Sequence, residues 1–185
     1  MKPIKFIHIT KNAGTSIENA GKKKGLLWGR FDKEYGYWHE LFCRVPVPVI
    51  RRNDWFMVVR NPYTRILSEY HCRWGGPRIR HTKEEMNRFL IAKIKAAQTR
   101  VKGDHYTPQC RYTHPAVAIH ILKFENLQVE FDALMALYGI KGLVLSRDNA
   151  TVKRFAISDF SPELIALINA VYHKDFELFG YSKIV

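Results

Sequence analysis

The sequence predicts an α/β domain, residues 1–185 as a single unit, around a mostly parallel sheet of four to five strands flanked by helices. Three observations lead there. Apolar, β-branched runs recur at 4–10 (IKFIHIT), 54–60 (DWFMVVR) and 116–124 (AVAIHILKF). They are continuous rather than alternating, as strands buried on both faces are. Each run passes through a polar turn into a stretch with helical periodicity.

The first run breaks at Gly14-Thr15-Ser16 into a short helix with Ile17 and Ala20 inward and Lys22–Lys24 near its negative end. Residues 25–53, rich in Gly, Pro and aromatics, read as irregular, and so long an irregular segment is usually functional or mobile. After the second strand, Asn61-Pro62 opens a helix with a stripe of Tyr63, Ile66, Leu67 and Tyr70. Thr82 and Glu85 make a capping box for a helix running to about Lys102, with Met86, Phe89, Leu90, Ile94 and Ala97 inward. The third strand feeds a helix from Glu125 with Leu127, Phe131, Leu134 and Tyr138 on one face, closed by Gly139. A short strand is expected near 143–145. Ser161-Pro162 then starts the last helix as N-cap and first-turn proline, its stripe Leu164, Ile168, Val171 and Tyr172.

Composition narrows the partners. The chain is 46% hydrophobic and 13% aromatic, as a packed globule is. Lys and Arg outnumber Asp and Glu by 30 to 17, a net charge of +13, which calls for an anionic partner without naming one. Cys43, Cys72 and Cys110 are too few and too unpatterned for a disulfide framework or a zinc site. No apolar run reaches membrane-spanning length, and the first strand leaves no room for a signal peptide, so a soluble, cytoplasmic protein is expected.

Ligands of such sheets bind beyond the carboxyl ends of the strands. Two of those ends carry cations. In "TKNAGTS" the backbone N–H groups of Asn12, Ala13, Gly14, Thr15 and Ser16 can wrap an anion at a helix N-terminus, with Lys11 adding a full charge and Gly14 allowing close approach. In "RNPYTRILS" Arg60 leaves the strand, and Ser68, eight residues on, can join it on a second phosphate. Taken singly, a Gly-Thr-Ser turn is also a plain helix cap, and Arg-Asn-Pro an ordinary turn.

Together, in this order, "HITKNAGTSI" and "VVRNPYTRILSEYH" resemble the 5′-phosphosulfate loop and the 3′-phosphate motif of the sulfotransferase family, with Thr10 and Asn12 standing where Pro and Thr are usual. "DHYTPQ" and "ILKFENLQVEF" resemble further segments of the family that point to its carbohydrate branch, and "YHKDFELFGY" is similar to the family's closing motif. The resemblance implies a P-loop-like three-layer fold and the donor 3′-phosphoadenosine 5′-phosphosulfate (PAPS), released as adenosine 3′,5′-bisphosphate. It places Lys11 to Ser16 on the 5′-phosphosulfate and Arg60 with Ser68 on the 3′-phosphate. Lys11 would also steady charge on the bridging oxygen, with no metal required.

Family members commonly take their base from the segment after the first helix. His39 in "YGYWHELF" is the first choice, since a largely neutral imidazole can take a proton at working pH, and Glu40 is the second. His105 is a rival base or acceptor contact, Gln109 a further acceptor contact, and His8 a packed core residue. The implied acceptor is a glycan, an anionic one suiting the basic excess at Lys22–Lys24, Arg51, Arg52, Arg78, Arg80 and the helix over 83–102. Two readings from other classes stand beside this one: a P-loop kinase or NTPase, and a non-catalytic nucleic-acid-binding protein. Against the first is the lack of a Gly-Lys-Ser/Thr ending and an acidic magnesium ligand.

Overall fold

The computed structural model describes residues 1–35, 39–99, 102–146 and 154–185. They fall into two compact units. The first is Met1–Arg60 with Arg111–Asn149, the second Asn61–Cys110 with Ala150–Val185.

The first unit holds the sheet. Strands β1 (Ile4–Ile7), β2 (Asp54–Val59) and β3 (Ile119–Lys123) pair in parallel in the order β1-β2-β3. Ile4 faces Asp54 across the first ladder and Trp55 faces Ile119 across the second. The central strand is buried from Trp55 to Val59, which is why that run carries no alternation. Helices α1 (Gly14–Lys22) and α5 (Leu127–Leu137) contribute Ile17, Ala20, Phe131 and Leu134 to a core with Phe6, Trp28, Phe56 and Val58. The indole N–H of Trp28 donates to the Ile4 carbonyl at 2.9 Å.

Two expectations change here. Among the described residues the sheet has three strands, not four or five. Residues 143–145 form no ladder; they follow Gly139 and Gly142, both left-handed, and Leu143 drops into the core instead. Nor is 25–53 irregular throughout. It contains α2 (Val47–Arg52), because prolines are tolerated in a first helical turn where their missing N–H is no loss. Tyr35 and Phe42 are buried and pack against Trp55, at ring separations of 5.8 and 4.9 Å.

The second unit is helical: α3 (Pro62–Tyr70), α4 (Lys83–Ala97), α6 (Pro162–Val171) and α7 (His173–Phe179). Tyr63, Ile66, Leu67, Met86, Leu90, Ile94, Leu164 and Ile168 form its core, the stripes read from periodicity. The Thr82–Glu85 capping box and the Ser161 cap are both present. Helix α4 ends at Ala97, short of Lys102, and residues 100 and 101 lie outside the described ones.

Buried polar clasps hold the 104–110 loop in this unit. The Asp175 carboxylate, fully buried in the first turn of α7, accepts the backbone N–H groups of Gln109 and Cys110, each at 2.8 Å. The Tyr172 hydroxyl donates to the Tyr106 carbonyl at 2.6 Å. The segments "DHYTPQ" and "YHKDFELFGY", distant in sequence, are thus two halves of one clasp. Removing the carboxylate strands two buried donors, so Asp175→Ala should lower unfolding free energy by about 3 kcal/mol. Asp175→Asn, which keeps one acceptor oxygen, should recover part of that loss in urea titrations.

Candidate functional site

The turn after β1 is strained and pinned. Lys11 and Ala13 both take left-handed backbone (φ 61° and 62°), which costs a residue with a Cβ on the order of 1 kcal/mol each. Neighbours from the end of β2 hold the strain in place. The Asn12 side-chain amide, fully buried, donates to the Val58 carbonyl at 2.7 Å, and the Arg60 guanidinium donates to the Lys11 carbonyl at 3.1 Å. Arg60 lies 4.0 Å over the Phe124 ring, so its fork is held flat. Helix α1 begins with Ala13 as N-cap, a residue whose methyl group cannot cap, and has no acid in its first turn. Its first N–H groups, with half-buried Thr15 and Ser16 beside them, are a natural anion cradle.

Gly14 has a second purpose. A Cβ on it would fall inside the His8 ring. That imidazole is buried under the turn, and its Nδ1 donates at 2.6 Å to Glu18, a fully buried carboxylate on α1. Glu18 also accepts the Arg30 backbone N–H at 2.7 Å and lies 3.3 Å from the Arg30 Nε. A Cβ at Gly29, left-handed at φ 54°, would strike Glu18. Two glycines therefore make room for one His–Glu pair.

His39 comes to the same place. Its Nδ1 lies 3.2 Å from the His8 carbonyl, and its ring meets the His8 ring edge-on at 4.4 Å between centroids. A carbonyl only accepts, so Nδ1 carries the proton and, in the neutral ring, Nε2 carries the lone pair. His39 is itself left-handed, at φ 62°. Its neighbours Gly36, Tyr37 and Trp38 in "YGYWHELF" lie outside the described residues. Glu40 is occupied differently: its Oε1 sits 3.4 Å from the Arg44 Nε and accepts the Leu41 N–H at 3.2 Å.

The other expected site residues belong to the second unit. Ser68 is half-buried on α3. His105 donates from Nδ1 to Glu69 at 2.5 Å, and Glu69 lies 3.8 Å from buried Arg65. His105 lines a concavity with exposed Trp74, Lys93 and Asp104. Gln109 is fully buried, its side-chain amide 3.4 Å from Asp175. Glu69, Cys72 and His105 bring candidate metal-ligating atoms within 4.8 Å of one another, but there the Glu69 carboxylate already serves His105 and Arg65.

Sequence reasoning missed the Glu18–His8 pair, reading His8 as core. The signal was present: Gly14, Glu18 and Gly21 share one face of α1 at helical spacing, and a charged residue between two glycines on an inward face needs a partner.

A family model described as sulfotransferase family matches residues 49–182, more than half the chain. The chain belongs to the sulfotransferase family. The matched span takes in Arg60, Ser68, His105, Gln109 and Asp175 and begins after the Lys11 turn and His39. No curated protein and no solved structure matches the chain. As a sulfotransferase domain it is a transferase, and sulfuryl transfer is its chemistry. Among the described residues no helix is long and apolar enough to cross a membrane.

The interlock of Gly14 with His8 is testable by unfolding. Gly14→Ala should destabilise the domain by about 1–3 kcal/mol, the usual cost of overpacking. Adding His8→Ala should remove most of that penalty, giving a strongly non-additive double-mutant cycle.

Proposed function

We propose that this sulfotransferase moves a sulfuryl group from PAPS to a hydroxyl of a carbohydrate acceptor, with His39 as base. One observation carries the reading: His8 lies between Gly14 of the anion turn and the His39 ring, so that a cation-bearing cradle and a tautomer-defined imidazole meet on one residue.

The fit to a phosphosulfate rests on the acid-free start of α1, its N-cap an alanine, and the pinned left-handed turn before it. When bound, PAPS supplies the sulfuryl group and departs as adenosine 3′,5′-bisphosphate. The N–H groups of Asn12 to Ser16 and the hydroxyls of Thr15 and Ser16 donate to the 5′-phosphosulfate. The Lys11 ammonium offsets negative charge that grows at the bridging oxygen. Arg60 braces the turn through the Lys11 carbonyl, and its guanidinium, with five N–H donors, also serves the 3′-phosphate. His39, its Nδ1 proton committed to the His8 carbonyl, accepts the acceptor hydroxyl's proton at Nε2. The engagement of Glu40 with Arg44 favours His39 over it.

For the acceptor, the +13 charge supports an anionic glycan. Lys22, Lys23, Lys24, Arg51, Arg78 and Arg80 are all exposed, whereas Arg52 is paired with Glu34 at 2.5 Å. Arg100, part of the same basic set, lies outside the described residues.

Transfer of radiolabelled sulfate from PAPS to a panel of glycans, phenols and peptides tests the whole reading, and labelling confined to phenols or peptides would replace the carbohydrate acceptor. His39→Ala should lower the transfer rate by about 10²–10⁴-fold, the usual worth of a general base, with bisphosphate affinity nearly unchanged. By calorimetry, Arg60→Ala should weaken adenosine 3′,5′-bisphosphate binding by about ten- to a hundredfold. An unaltered affinity would remove Arg60 from the phosphate site.

A further inference from the structure

A fully buried carboxylate one turn behind an anion cradle is out of place electrostatically. Glu18 repels the ligand its own helix is built to receive, and nothing about the fold of α1 requires a charge there. Leu or Met at that position would bury more apolar surface at no desolvation cost. Yet the chain spends two glycines and a buried histidine on it. Gly29 opens the space for the carboxylate and Gly14 the space for the imidazole it holds.

What the arrangement achieves is orientation. Glu18 binds the Nδ1 proton of His8 at 2.6 Å and is itself fixed by the Arg30 N–H at 2.7 Å, so the His8 ring cannot turn about its own axis. That ring is the surface on which His39 rests, edge-on at 4.4 Å, while the His8 carbonyl accepts a hydrogen bond from the His39 Nδ1–H. His39 needs this support, since its left-handed backbone must be held by its contacts.

We infer that Glu18, acting through His8, is a positioning residue for His39: the clamped His8 ring holds the His39 ring where its Nδ1–H meets the His8 backbone carbonyl, which leaves the lone pair on Nε2. The inference rests on the reading of His39 as the base. Its first test does not depend on activity, because the ¹⁵N signals of the histidine side chains report the tautomer directly in the donor-free protein.

In the wild-type protein His39 should show a single neutral tautomer, protonated at Nδ1. Glu18→Gln should preserve it, since an amide oxygen accepts from the same donors. Glu18→Ala should give mixed tautomers. His8→Asn should do the same; its amide can still donate to Glu18, so the carboxylate stays paired if the alanine variant does not fold. In turnover assays below each variant's unfolding midpoint, Glu18→Ala and His8→Asn should lower kcat by about tenfold or more, with KM for PAPS moving far less. Glu18→Gln should stay within about threefold of wild type, as both hydrogen bonds to Oε1 are kept.

A wild-type tautomer in both Glu18→Ala and His8→Asn, or a loss that falls wholly on KM, would overturn the inference. Failure of the base assignment looks different: His39→Ala would then keep transferring sulfate whatever the tautomer data show.

Discussion

The first unit is organised around a 2.6 Å bond between two buried groups, the His8 imidazole and the Glu18 carboxylate. Each would be costly to bury alone, and together they are tolerable only with their remaining polar atoms satisfied. For Glu18 the Arg30 backbone N–H bonds the same oxygen as His8, and the Arg30 Nε offsets charge on the other from 3.3 Å. The consequences spread outward from the pair. Position 14 must be glycine because the His8 ring occupies its side-chain volume, and position 29 because Glu18 occupies that one. The helix start is thereby set against His8, just past β1, and the turn before it, with its two left-handed residues, is anchored at the end of β2 by Asn12 and Arg60.

The second unit uses the same device in a different place. Buried Glu69 and Arg65 and half-buried His105 form a polar network on and beside α3, and Asp175 caps the loop that delivers His105. Gly75 stands to it as Gly14 does to His8, since a Cβ there would crowd both His105 and Glu69. In each unit, then, a histidine at the end of a non-helical segment is fastened to a carboxylate on a neighbouring helix, and a glycine provides the clearance. Such pairs restrict geometry more than they add stability, which suits segments whose side chains must be aimed.

Much of this was legible in the chain. Helices α3, α4 and α6 announce themselves by apolar residues at helical spacing and by caps at Asn61, Thr82 and Ser161, all local signals. The three strands show as continuous apolar runs, although the runs overstate their length. Residues 8–10 are buried without joining a ladder, because burial and strand pairing are different conditions, whereas 116–118 form a largely exposed turn before β3. Helix α2 was hidden by its prolines, and 143–145 looked like a strand because an apolar triplet reads alike whether it pairs or merely fills a core.

The anion turn was recognisable because its chemistry is contiguous: cation, small residues and hydroxyls within six positions that must share a helix N-terminus. By itself, then, the sequence determined the class of fold, the helical stripes and the cationic, hydroxyl-bearing character of the two strand ends, since each is written in neighbouring residues. Only the tertiary structure decided that His8 is a partner of Glu18 rather than core filling, that Gly14 exists for His8, and that His39, far along the chain, rests on that same ring. The physical reason is that hydrogen-bond partnership and steric clearance are properties of approach in space. A lone histidine, glutamate or glycine carries no mark of what will be packed against it.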